Sequence, residues 1–158
     1  MGRAREEEEL WKVLIPLPDN AWHGQASETV WAEMLPTGHF RLQNVPFYAR
    51  GLSFGDVVAT RETEDSPCTF DGVIERSGHS TYRIRLSDAV SLEDLTFDRY
   101  WQPLEAEGCT YERGTERLVA VDVPDRADIH RVYELLAKGE EAEAWSFEEG
   151  HCAHVAPK

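Results

Sequence analysis

The stretch that divides this chain is Ser77-Gly78-His79-Ser80-Thr81-Tyr82-Arg83-Ile84-Arg85-Leu86. It begins with a glycine turn, and Tyr82, Ile84 and Leu86 then alternate with arginines, a pattern typical of a strand with one buried face. Short strand-like segments precede this stretch, whereas strands and helices alternate after it. The sequence therefore predicts an α+β protein whose two halves meet at this point.

Before the dividing stretch, Gly and Pro residues separate several short segments that are predicted to be strands. These segments are residues 11–17, residues 29–35, a segment starting at Phe40, residues 56–61 and residues 69–75. Pro16 and Pro18 indicate that the first strand is an edge strand, because proline cannot donate a ladder hydrogen bond. Strands at this spacing predict a small β-barrel-like half over residues 11–78, preceded by a flexible acidic leader at residues 1–10.

After the dividing stretch, the order of predicted elements is strand-helix-strand-strand-helix-strand, which is typical of a ferredoxin-like half over residues 79–156. Val119, Val121 and Val123 are expected on the sheet face that the two helices cover. Leu118 and Ala120 on the opposite face are also apolar, so we expect the barrel-like half or a second subunit to cover that face.

The two predicted helices of this half carry start and stop signals. In the first, Ser91 is the expected N-cap with Asp94 in the capping-box position, and Pro103 should end or kink the helix near Gln102. In the second, Asp125 is the expected cap with Asp128 three residues later, and Gly139 is the expected C-terminal signal.

The chain is strongly acidic, with a net charge of −14 over 158 residues. This charge argues against nucleic acid and against an anionic membrane as partners, because both require a basic surface. It permits a cationic protein partner, and the alternative is that the charge serves only solubility. Trp31 is either a core residue or an anchor for such a partner. No apolar run approaches the roughly 20 residues of a membrane span, and three widely spaced cysteines form no disulfide framework. A cytoplasmic location is expected.

Polar side chains are concentrated at the dividing turn, which makes it the leading candidate site. Successive amides of a glycine turn can bind an anion, and Ser80 and Thr81 add hydroxyl groups. His79 can exchange a proton, and Arg83 can hold a carboxylate or phosphate with two hydrogen bonds. The alternative is that these residues only satisfy backbone groups where the two halves meet.

Further candidates lie outside the dividing turn. Arg41 and Asn44 lie near a second polar turn and are predicted to contribute to the same site. Asp56 is either a turn residue or a base. In the last strand, Glu149 and His151 share one face unless Gly150 introduces a bulge, and such a pair can perform acid–base chemistry.

Several motifs that would identify a cofactor or a metal are missing from the sequence. It contains no Gly-x-Gly-x-x-Gly, no P-loop and no His-Glu-x-x-His. His151, Cys152 and His154 include zinc-ligand types, but no second ligand pair lies at a workable spacing. The sequence accordingly predicts no cofactor and no metal, and it assigns no catalytic residue.

Five motifs of the chain occur in a combination that is specific, although each is weak alone. They are Asn44-Val45-Pro46-Phe47, Gly55-Asp56-Val57-Val58, the turn from Ser77 to Arg83, Asp122-Val123-Pro124 and Glu148-Glu149-Gly150-His151. From about Val13 to His154 the chain resembles a bacterial family of small proteins known only as a domain of unknown function. The resemblance implies one continuous unit and assigns no activity.

Two functions from different classes remain open at this point. The first is a non-catalytic, immunity-like or regulatory protein that uses its acidic surface to bind a protein partner. The alternative is a small-molecule binding protein or enzyme with an anion-accepting pocket where the halves meet. The position of the polar side chains distinguishes the two, because a ligand site requires them to line one concave pocket.

Overall fold

The computed structural model describes residues 9–18, 24–114 and 117–154. Within these residues the first half holds five strands: β1 (Trp11–Pro16), β2 (Ser27–Met34), β3 (Phe40–Leu42), β4 (Val57–Arg61) and β5 (Thr69–Glu75). The second half contains β6 (Ser80–Leu86), α1 (Leu95–Ala106), β7 (Thr110–Arg113), β8 (Leu118–Val123), α2 (Ile129–Glu141) and β9 (Trp145–His151). Residues 1–8 of the predicted leader and residues 155–156 of the predicted second half lie outside the described residues.

The first five strands form a closed barrel in the order β1-β2-β3-β4-β5. Closure depends on a parallel contact between β1 and β5, in which the Leu14 amide donates to the Cys68 carbonyl at 2.9 Å. The prediction that β1 is an edge strand is therefore wrong, since β1 has a neighbour on each side. Pro16 does not prevent closure, because it is the last residue of the strand and the contact with β5 is made at Leu14.

The inward-facing residues of the barrel form a small apolar core. Alternate residues of β2 are buried, and Val13, Leu42 and Val58 are completely inaccessible to solvent. Between β3 and β4 the chain leaves the barrel for 14 residues, 43–56. Residues 45–53 of this excursion, called here the connecting segment, reach the second half of the molecule.

The second half is an antiparallel sheet in the order β7-β8-β6-β9. Its elements follow the predicted order of strand-helix-strand-strand-helix-strand. The α+β class with an N-terminal barrel is thus confirmed, and the ferredoxin-like classification of the second half stays a prediction. The predicted division at residue 78 falls between β5 and β6.

Both helices pack on one face of this sheet. Val119, Val121 and Val123 belong to a core that also contains buried residues of α1 and α2, as the alternation in β8 predicts. Trp145 fixes α2 to the sheet, because its indole Nε1–H donates to the Leu136 carbonyl at 3.0 Å. Neither helix of the described structure is long and apolar enough to cross a membrane.

Helix α1 differs from its prediction at both ends. Ser91 is not the N-cap: its backbone amide and hydroxyl donate to the Asp94 carboxylate, and the helix starts only after Asp94. Pro103 lies inside the helix and does not end it. The buried residues Trp101 and Leu104 flank the proline and anchor this turn in the core, which offsets the lost backbone hydrogen bond.

Helix α2 also begins and ends differently from the predicted signals. Asp128, not Asp125, is the N-cap, and its carboxylate accepts from the His130 and Arg131 amides. Gly139 lies within the helix instead of beyond its C-terminus. A Cβ atom at this position would lie 2.2 Å from Cε2 of Trp145, so the glycine permits close packing of the indole on the helix.

Candidate functional site

The sheet face opposite the helices packs against the connecting segment of the barrel half. Arg83 of β6 projects from this face and donates through Nη2 to the backbone carbonyls of Ala49 and, at 3.4 Å, Pro46. The Gly51 amide donates to the Gly150 carbonyl of β9 at 3.0 Å. This face was expected to be covered by the barrel-like half or by a second subunit. The structure shows that the barrel half of the same chain covers it.

Glu28 holds the connecting segment from the barrel side. Its carboxylate accepts from three consecutive backbone amides, those of Phe47, Tyr48 and Ala49, the last two at 2.9 Å. Sequence reasoning missed this residue. The alternation in β2 could have identified it, because Glu28 lies on the same inward face as the buried residues Val30 and Ala32.

A second carboxylate that sequence reasoning missed, Glu112 of β7, holds the start of the same segment. Its Oε2 accepts from the Val45 amide at 3.0 Å, and its Oε1 lies 3.4 Å from Nδ2 of Asn44. The side-chain oxygen Oδ1 of Asn44 in turn accepts from the Trp31 backbone amide at 2.8 Å. Burial raises the pKa of Glu112, and the two hydrogen bonds act in the opposite direction. Asn44, a predicted site residue, thus joins β2 to β7, and both polar atoms of its side chain are hydrogen-bonded within the fold.

Asp56 is a turn residue in this structure. It is completely buried, and its carboxylate accepts from the Ser53 and Ser77 amides, each at 2.9 Å. Arg76 also forms an ion pair with the Asp56 carboxylate at 3.2 Å. The Asp56 carboxylate accepts only from backbone amides and from Arg76, so Asp56 stabilises the turn between β5 and β6.

The hydroxyl groups of the dividing turn are also used internally. Thr81 bonds to the Ser53 hydroxyl at 2.7 Å and donates to the Leu52 carbonyl at 3.0 Å. Ser80 lies 2.6 Å from Nδ1 of His154 and accepts from the Ala153 amide. Both are inaccessible to solvent, so the contact between Ser80 and His154 does not present a nucleophile to a substrate.

His79 forms a pair with Asp122 of β8, with Nδ1 and Oδ1 2.8 Å apart. Its side chain is 21% exposed, which makes it the most accessible of the four candidates in the dividing turn. Burial raises the pKa of the Asp122 carboxyl, and the hydrogen bond from His79 acts in the opposite direction. Such a pair can move a proton, and the ring packs against Phe54 with 5.7 Å between centroids.

Gly150 does introduce the bulge on which the arrangement of β9 depends. Thr81 pairs with His151 whereas the next residue, Tyr82, pairs with Glu149, so the register shifts at Gly150. The shift places His151 and Glu148 on one face and Glu149 on the other. His151 therefore does not pair with Glu149; its Nε2 lies 3.4 Å from Nη1 of Arg76.

Arg41 is separate from the other candidates. It lies on the outside of the barrel, where its guanidinium pairs with Glu33 at 3.4 Å with nearly half of the side chain exposed. The structure does not bring Arg41 to the dividing turn. Arg41 was expected to share a site with the dividing turn because the two are near in sequence. Its position in the structure does not support that role.

Arg83 remains, and it differs from the other candidates because part of its guanidinium has no hydrogen-bond partner. Its side chain is 1% exposed, yet Nε and Nη1 make no hydrogen bond. Nη1 lies 3.7 Å from Oε2 of Glu148, which is also a buried oxygen without a hydrogen bond. Burial lowers the pKa of Arg83, and the Glu28 and Glu148 carboxylates counteract this.

Arg83 and Glu148 also line a cavity of about 200 Å³. The other residues that line it are Arg85, Leu118, Ser146 and Phe147, all from the second half. The unpartnered atoms of Arg83 and Glu148 are themselves inaccessible to solvent. Arginine binds anions with charge-assisted hydrogen bonds, and this is the chemistry that the cavity lining offers. Among the described residues, no group of three or more His, Cys, Asp or Glu side chains could hold a metal ion.

The fold defines this chain as a two-part α+β protein, a five-stranded barrel joined to a four-stranded sheet with two helices. Residues 28–147 match the model of a family described as "Domain of unknown function (DUF4265)", and the chain belongs to this family. A solved structure of a hypothetical protein from Neisseria gonorrhoeae is similar, with a TM-score of 0.77 and 22% identity. The match covers 94% of this chain and 98% of that one, and at this identity it shows the shared fold. A search of curated proteins finds no match.

Proposed function

We propose that this chain is a non-catalytic, cytoplasmic binding protein, immunity-like or regulatory, whose acidic surface holds a basic protein partner. The observation that carries the proposal is the use of the polar candidates within the fold. Five of the six leading candidates, Arg41, Asn44, His79, Ser80 and Thr81, bond to backbone groups or to neighbouring side chains. Asn44 and Thr81 join the two halves, whereas His79 and Ser80 bond within the second half and Arg41 pairs on the outside of the barrel. These side chains are not arranged around a substrate.

The charge of the chain supports a basic partner. A net charge of −14 and an isoelectric point near 4.8 create a negative field that attracts a cationic surface and repels nucleic acid. Ionic attraction of this kind accelerates association and weakens as salt increases. The three cysteines are all free, which fits a reducing cytoplasm.

The proposed contact surface is the outer face of the barrel at Trp31 of β2, which is 42% exposed. Its cross-strand partner is Lys12 of β1, whose Nζ lies 5.3 Å from the centre of the Trp31 ring. Trp11 lies on the other face of the strand pair, opposite buried Ala32 and against Phe40. Exposed tryptophans are uncommon on free surfaces and are enriched among residues that dominate binding energy.

A pull-down from native lysate with the immobilised protein tests this proposal. We expect a basic protein to be recovered at low salt and a smaller amount of it at high salt. The Trp31→Ser variant should recover none. The matched control is Leu95→Ser, which replaces an 86% exposed residue at the start of α1 in the other half and should leave recovery unchanged. Recovery of no protein at either salt concentration, or equal recovery with both variants, would contradict the proposal.

A second function has one specific observation in its favour. The two arginines that line the cavity, Arg83 and Arg85, support a small-molecule site that accepts an anion on the sheet face against which the connecting segment packs. This site contains fewer of the expected residues than the sequence predicted, because Arg83 alone of the six leading candidates lines the cavity. Thermal-shift screening with anionic metabolites tests it, and the absence of any shift would count against it.

A further inference from the structure

The two edge strands of the second sheet, β7 and β9, differ in how far they are protected. In β9 the Gly150 bulge interrupts the register, and the Glu149 and Gly150 carbonyls accept from Arg50 Nη1 and from the Gly51 amide, both at 3.0 Å. In β7 the register is regular throughout, and β8 is the only strand paired with it among the described residues. Proteins commonly protect an open edge with a bulge or a proline, and β7 carries neither.

The ladder between β7 and β8 determines which backbone groups point away from the sheet. The Gly114 amide donates to the Leu118 carbonyl at 2.8 Å, and in an antiparallel ladder every second pair is hydrogen-bonded in this way. Tyr111 and Arg113 lie between the hydrogen-bonded pairs, so their amides and carbonyls are directed away from β8. Tyr111 is 36% exposed and the Arg113 side chain 58% exposed, and within the described residues neither backbone group has a hydrogen-bond partner.

This open edge lies next to the proposed contact surface at Trp31. Asn44 connects the two, since its Oδ1 accepts from the Trp31 amide at 2.8 Å and its Nδ2 lies 3.4 Å from Oε1 of Glu112 in β7. Glu112 projects toward the barrel, whereas Tyr111 projects toward the helices and contacts the Trp101 ring, with 4.9 Å between centroids. A strand paired with β7 would therefore direct alternate side chains to the barrel side, where Trp31 lies, and to the side of the Tyr111 ring.

Spacing and charge together indicate what this edge accepts. The Tyr111 and Arg113 amides are two residues apart, about 7 Å along the strand, a spacing that an extended chain matches and a helix does not. The charge of Arg113 is balanced by Glu93 at 2.8 Å, so the surrounding acidic chain determines the field at the edge. A second copy would bring a further net charge of −14, whereas a cationic segment is attracted.

We propose that β7 pairs with an extended, basic segment of the partner protein, which adds one strand to the edge of the second sheet. The inference rests on the first proposed function, the binding of a basic protein, and it names the part of the partner that is bound. In this mode main-chain hydrogen bonds provide affinity, and the alternate side chains that meet Trp31 and Tyr111 provide specificity.

Three synthetic peptides of equal length test this inference. The first alternates lysine and valine, the second has glutamate in place of lysine, and the third has proline in place of valine and so cannot pair as a strand. The readout is hydrogen exchange of the Tyr111 and Arg113 amides, followed by NMR. We expect the lysine–valine peptide at saturation to slow both amides about fivefold or more, the effect of one new hydrogen bond, and the other two peptides to leave them unchanged.

Two substitutions at Arg113 isolate the backbone donor. Arg113→Ala and Arg113→Pro both remove the exposed ion pair with Glu93, but only proline also removes the amide that points away from β8. Edge strands tolerate proline at such a position, because no ladder bond uses this amide. Slowed exchange at Tyr111 should persist in Arg113→Ala and be lost in Arg113→Pro. If Arg113→Pro does not fold, the comparison of the three peptides on the unchanged protein provides the same test.

Several results would overturn strand pairing at β7. They are unchanged exchange with the lysine–valine peptide, an equal effect of the glutamate or proline peptide, and slowed exchange at Phe147 of β9 in place of Tyr111. Slow exchange at Tyr111 that depends on protein concentration without peptide would identify a second copy as the occupant and would also overturn it.

The pull-down distinguishes this inference from the function on which it rests. A basic protein that is lost with Trp31→Ser but retained by Arg113→Pro would leave the proposed partner binding standing and overturn strand pairing. Recovery of no protein would contradict the proposed partner, whatever the peptides show at β7.

Discussion

Glu28 of the barrel and Arg83 of the sheet hold the two backbone groups of a single residue, Ala49. The Glu28 carboxylate accepts the Ala49 amide at 2.9 Å, and Arg83 Nη2 donates to the Ala49 carbonyl. Ala49 itself is buried in the barrel core. Two opposite charges from different halves thus meet at the connecting segment, and they stabilise the junction by satisfying backbone groups that packing has removed from water.

Glu28→Gln should destabilise the protein, because the amide group replaces an oxygen that accepts a backbone hydrogen bond with a donor. We expect a loss of about 1–3 kcal/mol in the free energy of unfolding, measured by urea denaturation, the cost of leaving a buried donor unpaired. Glu33→Gln on the same strand is the control. Its ion pair with Arg41 is exposed, so the change should be within about 0.5 kcal/mol. Equal effects of the two substitutions would contradict the role assigned to Glu28.

Gly139→Ala should also destabilise the protein, although alanine is the better helix former by about 1 kcal/mol. The new Cβ would lie 2.2 Å from Trp145 Cε2, and the indole cannot stay in place. We expect a net loss of about 1–3 kcal/mol together with a change in tryptophan fluorescence, as for overpacked cores. Glu140→Ala, exposed on the next position of α2, should change stability by less than about 0.5 kcal/mol. A more stable Gly139→Ala variant would show that Trp145 is not tightly packed here.

Pro103→Ala should stabilise the protein, because Pro103 lies inside α1 and has no amide to donate. Proline costs about 3 kcal/mol relative to alanine within a helix, and its restriction of the unfolded chain returns about 1 kcal/mol. We therefore expect a net gain of about 1–2 kcal/mol, seen as a higher Tm. Gln102→Ala, on the exposed side of the same turn, is the control and should shift Tm little. An unchanged or lower Tm for Pro103→Ala would mean that the proline ring contributes packing that outweighs the missing hydrogen bond.

His151 should titrate below the usual pKa of about 6.5 for histidine. Burial lowers its pKa, and the neighbouring Arg76 guanidinium lowers it further. The unfolded chain then binds a proton at a higher pH than the folded protein does, so the stability contributed by neutral His151 is present above about pH 6.5 and decreases as the pH falls. NMR titration of the His151 ring measures the midpoint directly. His151→Gln should reduce the dependence of stability on pH below about pH 6.5, and a midpoint at or above the usual value would contradict the lowered pKa of His151.

Much of the fold could be predicted because its signals are local. Alternation of apolar residues predicts the strands, and Val119, Val121 and Val123 were assigned correctly to the helix side of the sheet. Helix limits were less accurate, since Asp94 and Asp128 are the N-caps where Ser91 and Asp125 were expected. For α2, only the contacts of the Asp128 carboxylate with the His130 and Arg131 amides distinguish Asp128 from Asp125. For α1, the Asp94 carboxylate accepts from Ser91 and makes no hydrogen bond to the helix.

The candidate site could be predicted only in part. The dividing turn lies between β5 and β6, and Arg83 of β6 lines a cavity of the second half. Glu28 and Glu112 were missed, because their partners lie 19–21 and 67–68 positions away in the sequence. Arg41 was grouped with the site by its proximity in sequence, yet it lies on the outside of the barrel.

The acidity of the chain and the order of its strands and helices follow from composition and from the period of the apolar residues, which depend only on neighbours along the chain. Which polar side chains hold backbone groups depends instead on how the connecting segment packs on the second sheet, because these partners are distant in sequence. Thr81 donates to a carbonyl of this segment, and Arg83, two residues later, reaches the segment with Nη2 while its Nη1 lies 3.7 Å from the Glu148 carboxylate.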